Sequence, residues 1–238
     1  MPLLQDRVAV ITGGTGALGR AVARLFVAEG ARVAVPYRND EDAQALRAEL
    51  GDRADALLAE RVDAMDGAAL TRFIDGAVAV FGHLDALVNV IGGFAGGRPL
   101  HETDEATWDH MLDLNLRTVY LACHAAVPHL LRTGRGAIVN VSSRAALAPA
   151  PNVAAYAVSK AGVVTLTSVL ALELKRHGIS VNAVLPGIID TPANRIGAEP
   201  EAITRWTNPD EIARVIRWLC SDEAAIITGA AIPVYGQS

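Results

Sequence analysis

Along the chain, short β-branched runs alternate with longer alanine- and leucine-rich segments of helical period. Strands that are apolar throughout are covered on both faces, so the pattern predicts a parallel sheet with helices on either side. The strands read as Arg7 to Thr12, Arg32 to Tyr37, a weaker one ending near Asp63, Ala86 to Val90, Gly136 to Ser142, Ser180 to Leu185 and Ala231 to Val234. Helices are expected to begin near Gly16, Asp40, Asp66, Asp104, Ala154 and Pro209, several behind a residue able to cap free amides. Gly30 stands where the first helix needs a left-handed residue to end. The expected fold class is α/β: a doubly wound, seven-stranded parallel sheet in three layers. No repeat or low-complexity linker interrupts it, so residues 1–238 are read as a single domain.

Two stretches fall outside the periodic pattern. Gly92-Gly93-Phe94-Ala95-Gly96-Gly97 follows a strand and reads as a mobile active-site loop, and Pro186 to Asn208 reads as a lid.

Composition narrows the function. With 51% hydrophobic and 20% charged residues, 238 residues can bury a full core. A net charge of −5 and a pI near 5.7 provide no basic surplus for phosphate backbones or anionic bilayers, so neither nucleic acid nor membrane is expected as a partner. No uninterrupted apolar run reaches membrane-spanning length, and Met1 to Arg7 passes directly into Val8-Ala9-Val10-Ile11 without signal-peptide features, so the cytoplasm is expected. Cys123 and Cys220 are far apart, and the six histidines are scattered. No metal site is read from them.

The first strand runs into Thr12-Gly13-Gly14-Thr15-Gly16-Ala17-Leu18-Gly19 and then a helix. Glycines at such a turn let a pyrophosphate approach the backbone, and the helix amino end offers it free N–H groups and a positive dipole. This is a dinucleotide site. Arg38, just past the second strand, stands where a guanidinium meets a 2′-phosphate, favouring NADP with NAD as the alternative. Asp63 reads equally as an adenine contact or as a helix cap or solvated strand end.

Tyr156 and Lys160 are four residues apart, on one face of a helix. A phenol ionises near pH 10, and a cation close by would let it exchange a proton at neutral pH. Ser143 ends a strand, at the sheet edge where α/β proteins bind ligands, and its hydroxyl can bond a substrate carbonyl. Asn115 is an amide within an apolar helical stretch, which needs partners to be tolerated there. Phe94, Leu147, Pro149, Asn152 and Trp206 are candidates for the pocket wall or for ordinary loop packing.

Taken together, Thr12-Gly13 with Gly16 and Gly19, Asp63, Asn89 with Gly92, Asn115, Ser143 thirteen positions before Tyr156, Lys160, and Pro186-Gly187 with Thr191 resemble the short-chain dehydrogenase/reductase family over nearly the whole chain. The resemblance implies a Rossmann fold and NAD(P)-dependent hydride transfer. It implies that Ser143 and Tyr156 contact the substrate oxygen, that Lys160 binds the nicotinamide ribose and lowers the Tyr156 pKa, and that Asn115 holds a relay water. It also implies cofactor contacts from Gly13, Thr15, Gly16, Ala17, Leu18, Gly19, Ala64, Asn89, Val90, Gly92, Pro186, Gly187, Ile189 and Thr191, and a homo-oligomer, dimer or tetramer, paired through the helices of Asn115 and Tyr156. Val163, Val164, Leu166, Val169 and Leu170 would suit such a contact, although core packing accounts for some of them. Three features depart from the usual pattern: Ala17 replaces a glycine, Val90-Ile91 makes the loop after the fourth strand more apolar, and the stretch from Thr191 to Pro209 is short.

The expected function is therefore reduction of a small carbonyl substrate, or the reverse alcohol oxidation. An epimerase or dehydratase with retained cofactor, suggested by the Gly16 spacing, is one alternative. A non-catalytic cofactor sensor is another.

Overall fold

The computed structural model describes residues 2–237. Seven parallel strands form one sheet: β1 (Val8–Thr12), β2 (Arg32–Tyr37), β3 (Leu57–Arg61), β4 (Ala86–Asn89), β5 (Gly136–Val141), β6 (Ile179–Pro186) and β7 (Ala231–Val234). Their spatial order is β3-β2-β1-β4-β5-β6-β7. The chain winds outward from β1 to β3, then returns to place β4 on the other side of β1. That reversal opens a crevice at the carboxyl ends of β1 and β4.

Alternation along each strand sorts the core into two halves. In β1, Ala9 and Ile11 face one way, onto α1 (Ala17–Ala28), α2 (Asp40–Leu50) and, at the C-terminal end of the chain, Pro209–Leu219. Val8 and Val10 face the other way, toward α3 (Gly67–Phe81) and the long helices that follow. Phe26 anchors the first half and Phe73 the second, both fully buried. Each such side chain contributes roughly 1.5–3 kcal/mol.

The caps explain where helices start. Asn39 accepts from Glu41 N, Asp66 from Ala68 N and Ala69 N, and Asp104 from Thr107 N. Asn208 and Glu211 close a reciprocal capping box at the last helix. Gly30 follows the end of α1 with φ +84°, as expected.

The helix expected after Asp104 is divided. It forms α4 (Glu105–Leu112), a π-turn at Asp113–Arg117, and α5 (Thr118–Thr133). Sequence period does not reveal that interruption, because Asn115 keeps its inward register. α6 (Ala154–Leu174) crosses the sheet beside α5, and two short helices, α7 (Pro192–Arg195) and α8 (Pro200–Ile203), occupy the segment read as a lid. The final helix, Pro209–Leu219, is α9.

Among the described residues one helical stretch, Ala154–His177, is long and apolar enough by composition to cross a membrane. It is the α6 helix, and its Ala155, Val163, Ala171 and Leu174 are buried against the rest of the protein. Val163, Leu166 and Leu170 pack into the core, while Val169 is exposed.

At the β1–α1 turn, a β-carbon built on Gly19 would lie 2.0 Å from Gly13 O, whereas one on Gly16 meets its nearest atom, the same oxygen, at 3.5 Å. Gly19→Ala must force the turn open, at a cost of roughly 3 kcal/mol. Gly16→Ala is expected to cost less than about 1 kcal/mol. Urea unfolding of the two variants checks this, and equal stabilities would refute the close approach.

Candidate active site

The crevice widens into a solvent-open cleft of about 1620 Å³. At one end lie Gly13, Thr15, Gly16, Ala17, Leu18 and Gly19 from the glycine turn, with Arg38 after β2 and Asp63 and Ala64 after β3. At the other lie Val90 and Gly92 after β4, Ser143 after β5, Tyr156 and Lys160 on α6, Pro186 at the end of β6, and Gly187, Ile189 and Thr191 after it. The sheet thus delivers residues distant in sequence to one surface.

Ser143 leaves β5 in an extended conformation, accepts from Ala145 N at 3.2 Å and lies near enough to the Tyr156 phenol to hold its pKa down. The edge of the Phe94 ring meets Tyr156 with centroids 5.1 Å apart and planes at 76°. Lys160 is buried, and its Nζ donates to Val141 O at 3.0 Å, while Ser142 Oγ donates to Lys160 O at 2.8 Å. These two bonds fix α6 to the tip of β5, so Tyr156 faces Ser143.

Electrostatics depart from the expectation for the phenol. Burial pushes the Tyr156 pKa above its ordinary value, and the Ser143 hydroxyl offsets only part of that rise. Burial likewise takes Lys160 down to about 8. The expected lowering of Tyr156 by Lys160 is therefore not found in the protein alone: the ammonium is turned toward Val141 O, and desolvation dominates both groups.

Two expected site residues lie behind the cleft rather than in it. Asn89 is 1% exposed; its amide accepts from Thr12 Oγ1 at 3.2 Å and donates to Asn140 Oδ1 at 2.9 Å. Its side chain joins β1, β4 and β5 instead of reaching a ligand. Asn115 is fully buried, and its amide spans the Gly93 peptide, accepting from Gly93 N at 2.9 Å and donating to Gly93 O at 3.1 Å, with a further bond to Ser159 Oγ. The amide found its partners, as its burial requires, and it holds the glycine loop against the π-turn. Asp63 is exposed at the cleft's edge and accepts from Met65 N at 3.0 Å, capping a turn, while the helix that follows is capped by Asp66.

Of the pocket-wall candidates, Phe94 and Trp206 line the cleft, and Leu147, Pro149 and Asn152 do not. Sequence reasoning missed Arg144, Ile188, Asn194 and Ile196, which also line it. The lid segment is pinned at its base, where Asp190 N donates to Thr207 O and Thr207 N to Ile188 O. Among the described residues no cluster of three or more His, Cys, Asp or Glu side chains is arranged to hold a metal ion.

The glycine turn, with no β-carbon at its closest approach and a helix amino end beside it, fits a dinucleotide pyrophosphate. Comparison with known proteins agrees. A family pattern described as short chain dehydrogenase matches residues 7–201. The chain belongs to this family.

Among the relatives of this short-chain dehydrogenase is a cis-4-hydroxycyclohexanecarboxylate dehydrogenase of Sinomonas cyclohexanicum, 38% identical over 97% of this chain and 96% of that one. A D-threitol dehydrogenase of Mycolicibacterium smegmatis is 36% identical over 98% and 93%. Among solved structures, carveol dehydrogenase from Mycobacterium avium in complex with NAD superposes with a TM-score of 0.91 at 30% identity, covering 100% of this chain and 99% of that one. The protein is an NAD(P)-dependent oxidoreductase of the short-chain dehydrogenase type. Its relatives act on different alcohols, so family membership leaves the substrate open.

Tyr156→Phe is expected to keep cofactor affinity, read by quenching of protein fluorescence, while lowering turnover about 10²- to 10⁴-fold. Unchanged turnover would remove the phenol from proton transfer. Lys160 predicts a pH effect on stability. Between about 8 and its ordinary 10.5, the unfolded chain holds a proton that the folded chain has released. Stability contributed by this group therefore rises with pH across that window and is absent below it. In the cofactor-free protein, wild type should gain on Lys160→Met in unfolding free energy from pH 8 to pH 10, and a constant difference would contradict the buried ammonium.

Proposed function

We propose that this enzyme reduces a small carbonyl compound with NADPH, or runs the reverse oxidation of a secondary alcohol, with Tyr156 as its proton-transfer group. The observation that carries the reading is the meeting of Tyr156 with Ser143 in the same cleft into which the glycine turn opens. A nicotinamide dinucleotide bound along that cleft supplies the hydride. Ser143 donates a hydrogen bond to the substrate oxygen, and Tyr156 gives that oxygen its proton as the carbon is reduced. In the oxidative direction the phenolate takes the proton back. Lys160, at the strand tip and one helical turn from Tyr156, is suited to hold the nicotinamide ribose and to offset phenolate charge once both are in place. Asn115 acts by holding the Gly92-Gly93 loop in position.

NADP is the proposed cofactor, with NAD as the alternative. Arg38 is exposed at the adenosine end of the cleft, and no carboxylate among the described residues pairs with it, whereas nearby Asp40 pairs with Arg61. A free guanidinium there matches a 2′-phosphate. The apolar wall of Phe94, Ile188 and Trp206 suits a compact carbon skeleton, including rings of the kind named for the Sinomonas relative. Val158, Val169 and Leu172, exposed along one stripe of α6, favour a homo-oligomer paired through that helix.

A ketone and alcohol panel assayed in parallel with NADH and NADPH tests the reading. Arg38→Asp is expected to lower kcat/KM for NADPH about 10- to 100-fold while changing that for NADH far less. Equal losses with both cofactors would place Arg38 outside cofactor choice, and no turnover of any ketone or alcohol would overturn the catalytic reading.

A further inference from the structure

We propose that the substrate carries an anionic group, a carboxylate or sulfonate on a compact apolar skeleton, and that Arg144 is the residue that selects it. The proposal rests on the hydride-transfer reading of the cleft and adds the chemistry of the substrate's far end.

Six charged side chains line the cleft: Arg20, Arg38, Asp42, Asp63, Arg144 and Lys160. Sheet order divides them. Arg20, Arg38, Asp42 and Asp63 belong to α1 and to the segments after β2 and β3, on the adenosine side of the crevice. Only Arg144 and Lys160 lie on the β4-to-β7 side, where Ser143 and Tyr156 stand. Lys160 is buried and committed to Val141 O, leaving Arg144 as the one exposed charged side chain lining that side of the cleft among the described residues.

Arg144 directly follows Ser143 and opens the single 3₁₀ turn Arg144–Ala146 that Ser143 caps. Its backbone is thus set by the same strand tip that positions the Ser143 hydroxyl. No carboxylate among the described residues lies within ion-pair distance of its guanidinium. By contrast, the lid's Arg195 is already neutralised by Asp190, through contacts of 2.5 and 2.7 Å. The Arg144 guanidinium lies over the Tyr235 ring, 5.8 Å from its centroid, at the carboxyl end of β7. Such stacking engages the face of the guanidinium and leaves its in-plane N–H groups able to donate to a carboxylate or sulfonate.

An exposed arginine is ordinarily a solvated surface charge. Here the cleft that it lines also presents apolar residues, Ala145, Ala148, Val153, Ile188, Ile196 and Trp206. Once a substrate displaces water from such a wall, an ion pair is screened less and a bidentate contact gains geometric selectivity. Because Ser143 and Arg144 are consecutive, the reacting oxygen and the anion lie within the combined reach of two neighbouring side chains. A six-membered ring bearing the two groups at opposite ends falls within that reach.

The test uses 4-oxocyclohexanecarboxylate, its methyl ester and cyclohexanone, reduced by the full-length enzyme with NADPH and with NADH. The acid is expected to exceed the ester in kcat/KM by about 10- to 100-fold. Arg144→Met should bring that ratio to near one through KM rather than kcat, and Arg144→Lys should restore part of it. Equal use of acid and ester by wild type, or a ratio unchanged in Arg144→Met, overturns the proposal while leaving hydride transfer standing. Calorimetry of cyclohexanecarboxylate against cyclohexanecarboxamide, on enzyme loaded with NADP⁺, gives a readout independent of turnover. Tighter binding of the carboxylate, lost in Arg144→Met, supports Arg144 even if no ketone is reduced, in which case the catalytic reading alone fails; equal binding of the two overturns the proposal. Arg144→Gln replaces Arg144→Met if the latter does not fold, as judged by cofactor binding.

Discussion

The candidate active site depends on one close contact, where α6 meets the carboxyl ends of β4 and β5. Lys160 enters the protein there, its Nζ held by Val141 O, and Ser142 Oγ ties the Lys160 carbonyl to the same strand tip. The approach is possible because Gly92 has no side chain: a β-carbon on it would lie 2.8 Å from Asn115 Oδ1 and 2.9 Å from Lys160 Nζ. Gly92 is therefore as much a spacer between two polar side chains as a wall of the cofactor cleft. With that spacing, Tyr156 is brought to Ser143; without it, α6 would have to shift outward and separate them.

This arrangement is expensive in polar groups. Beneath the cleft a buried chain runs from Thr12 through Asn89 and Asn140 to Thr167, which donates to Val163 O. Each member has a partner, which is the condition for keeping amides inside a sheet that is otherwise aliphatic. Lys160 is the exception in kind, since its buried ammonium is opposed by desolvation and Val141 O is its one side-chain hydrogen-bond partner among the described residues. Stability is thus traded for a buried cation at the strand tip below the cleft, a balance frequent at functional sites.

The two ends of the cleft are built differently. The adenosine end is made of strand tips and the start of a helix, elements packed into the sheet. The substrate end is made of the Phe94 loop, the turn after Ser143 and the lid, which is held at its base by backbone hydrogen bonds among Ile188, Asp190 and Thr207. Loops of this kind vary without disturbing the sheet, so a shared hydride-transfer apparatus is compatible with relatives named for different alcohols.

Local pattern by itself determined the seven strands, the capped helix starts and the glycine turn, because strand burial, capping and tight turns are properties of residues a few positions apart. It also identified Ser143, Tyr156 and Lys160 as candidates, since a strand tip and a four-residue helical spacing are local features. Tertiary structure decided what those residues face. The π-turn at Asn115 is invisible to periodicity, and whether Asn89 pointed into the cleft or into the sheet depended on Thr12 and Asn140, distant in sequence and adjacent only after pairing. The direction of the Tyr156 and Lys160 shifts followed the same logic, because desolvation is set by everything packed around a group, and no spacing along one helix reports it.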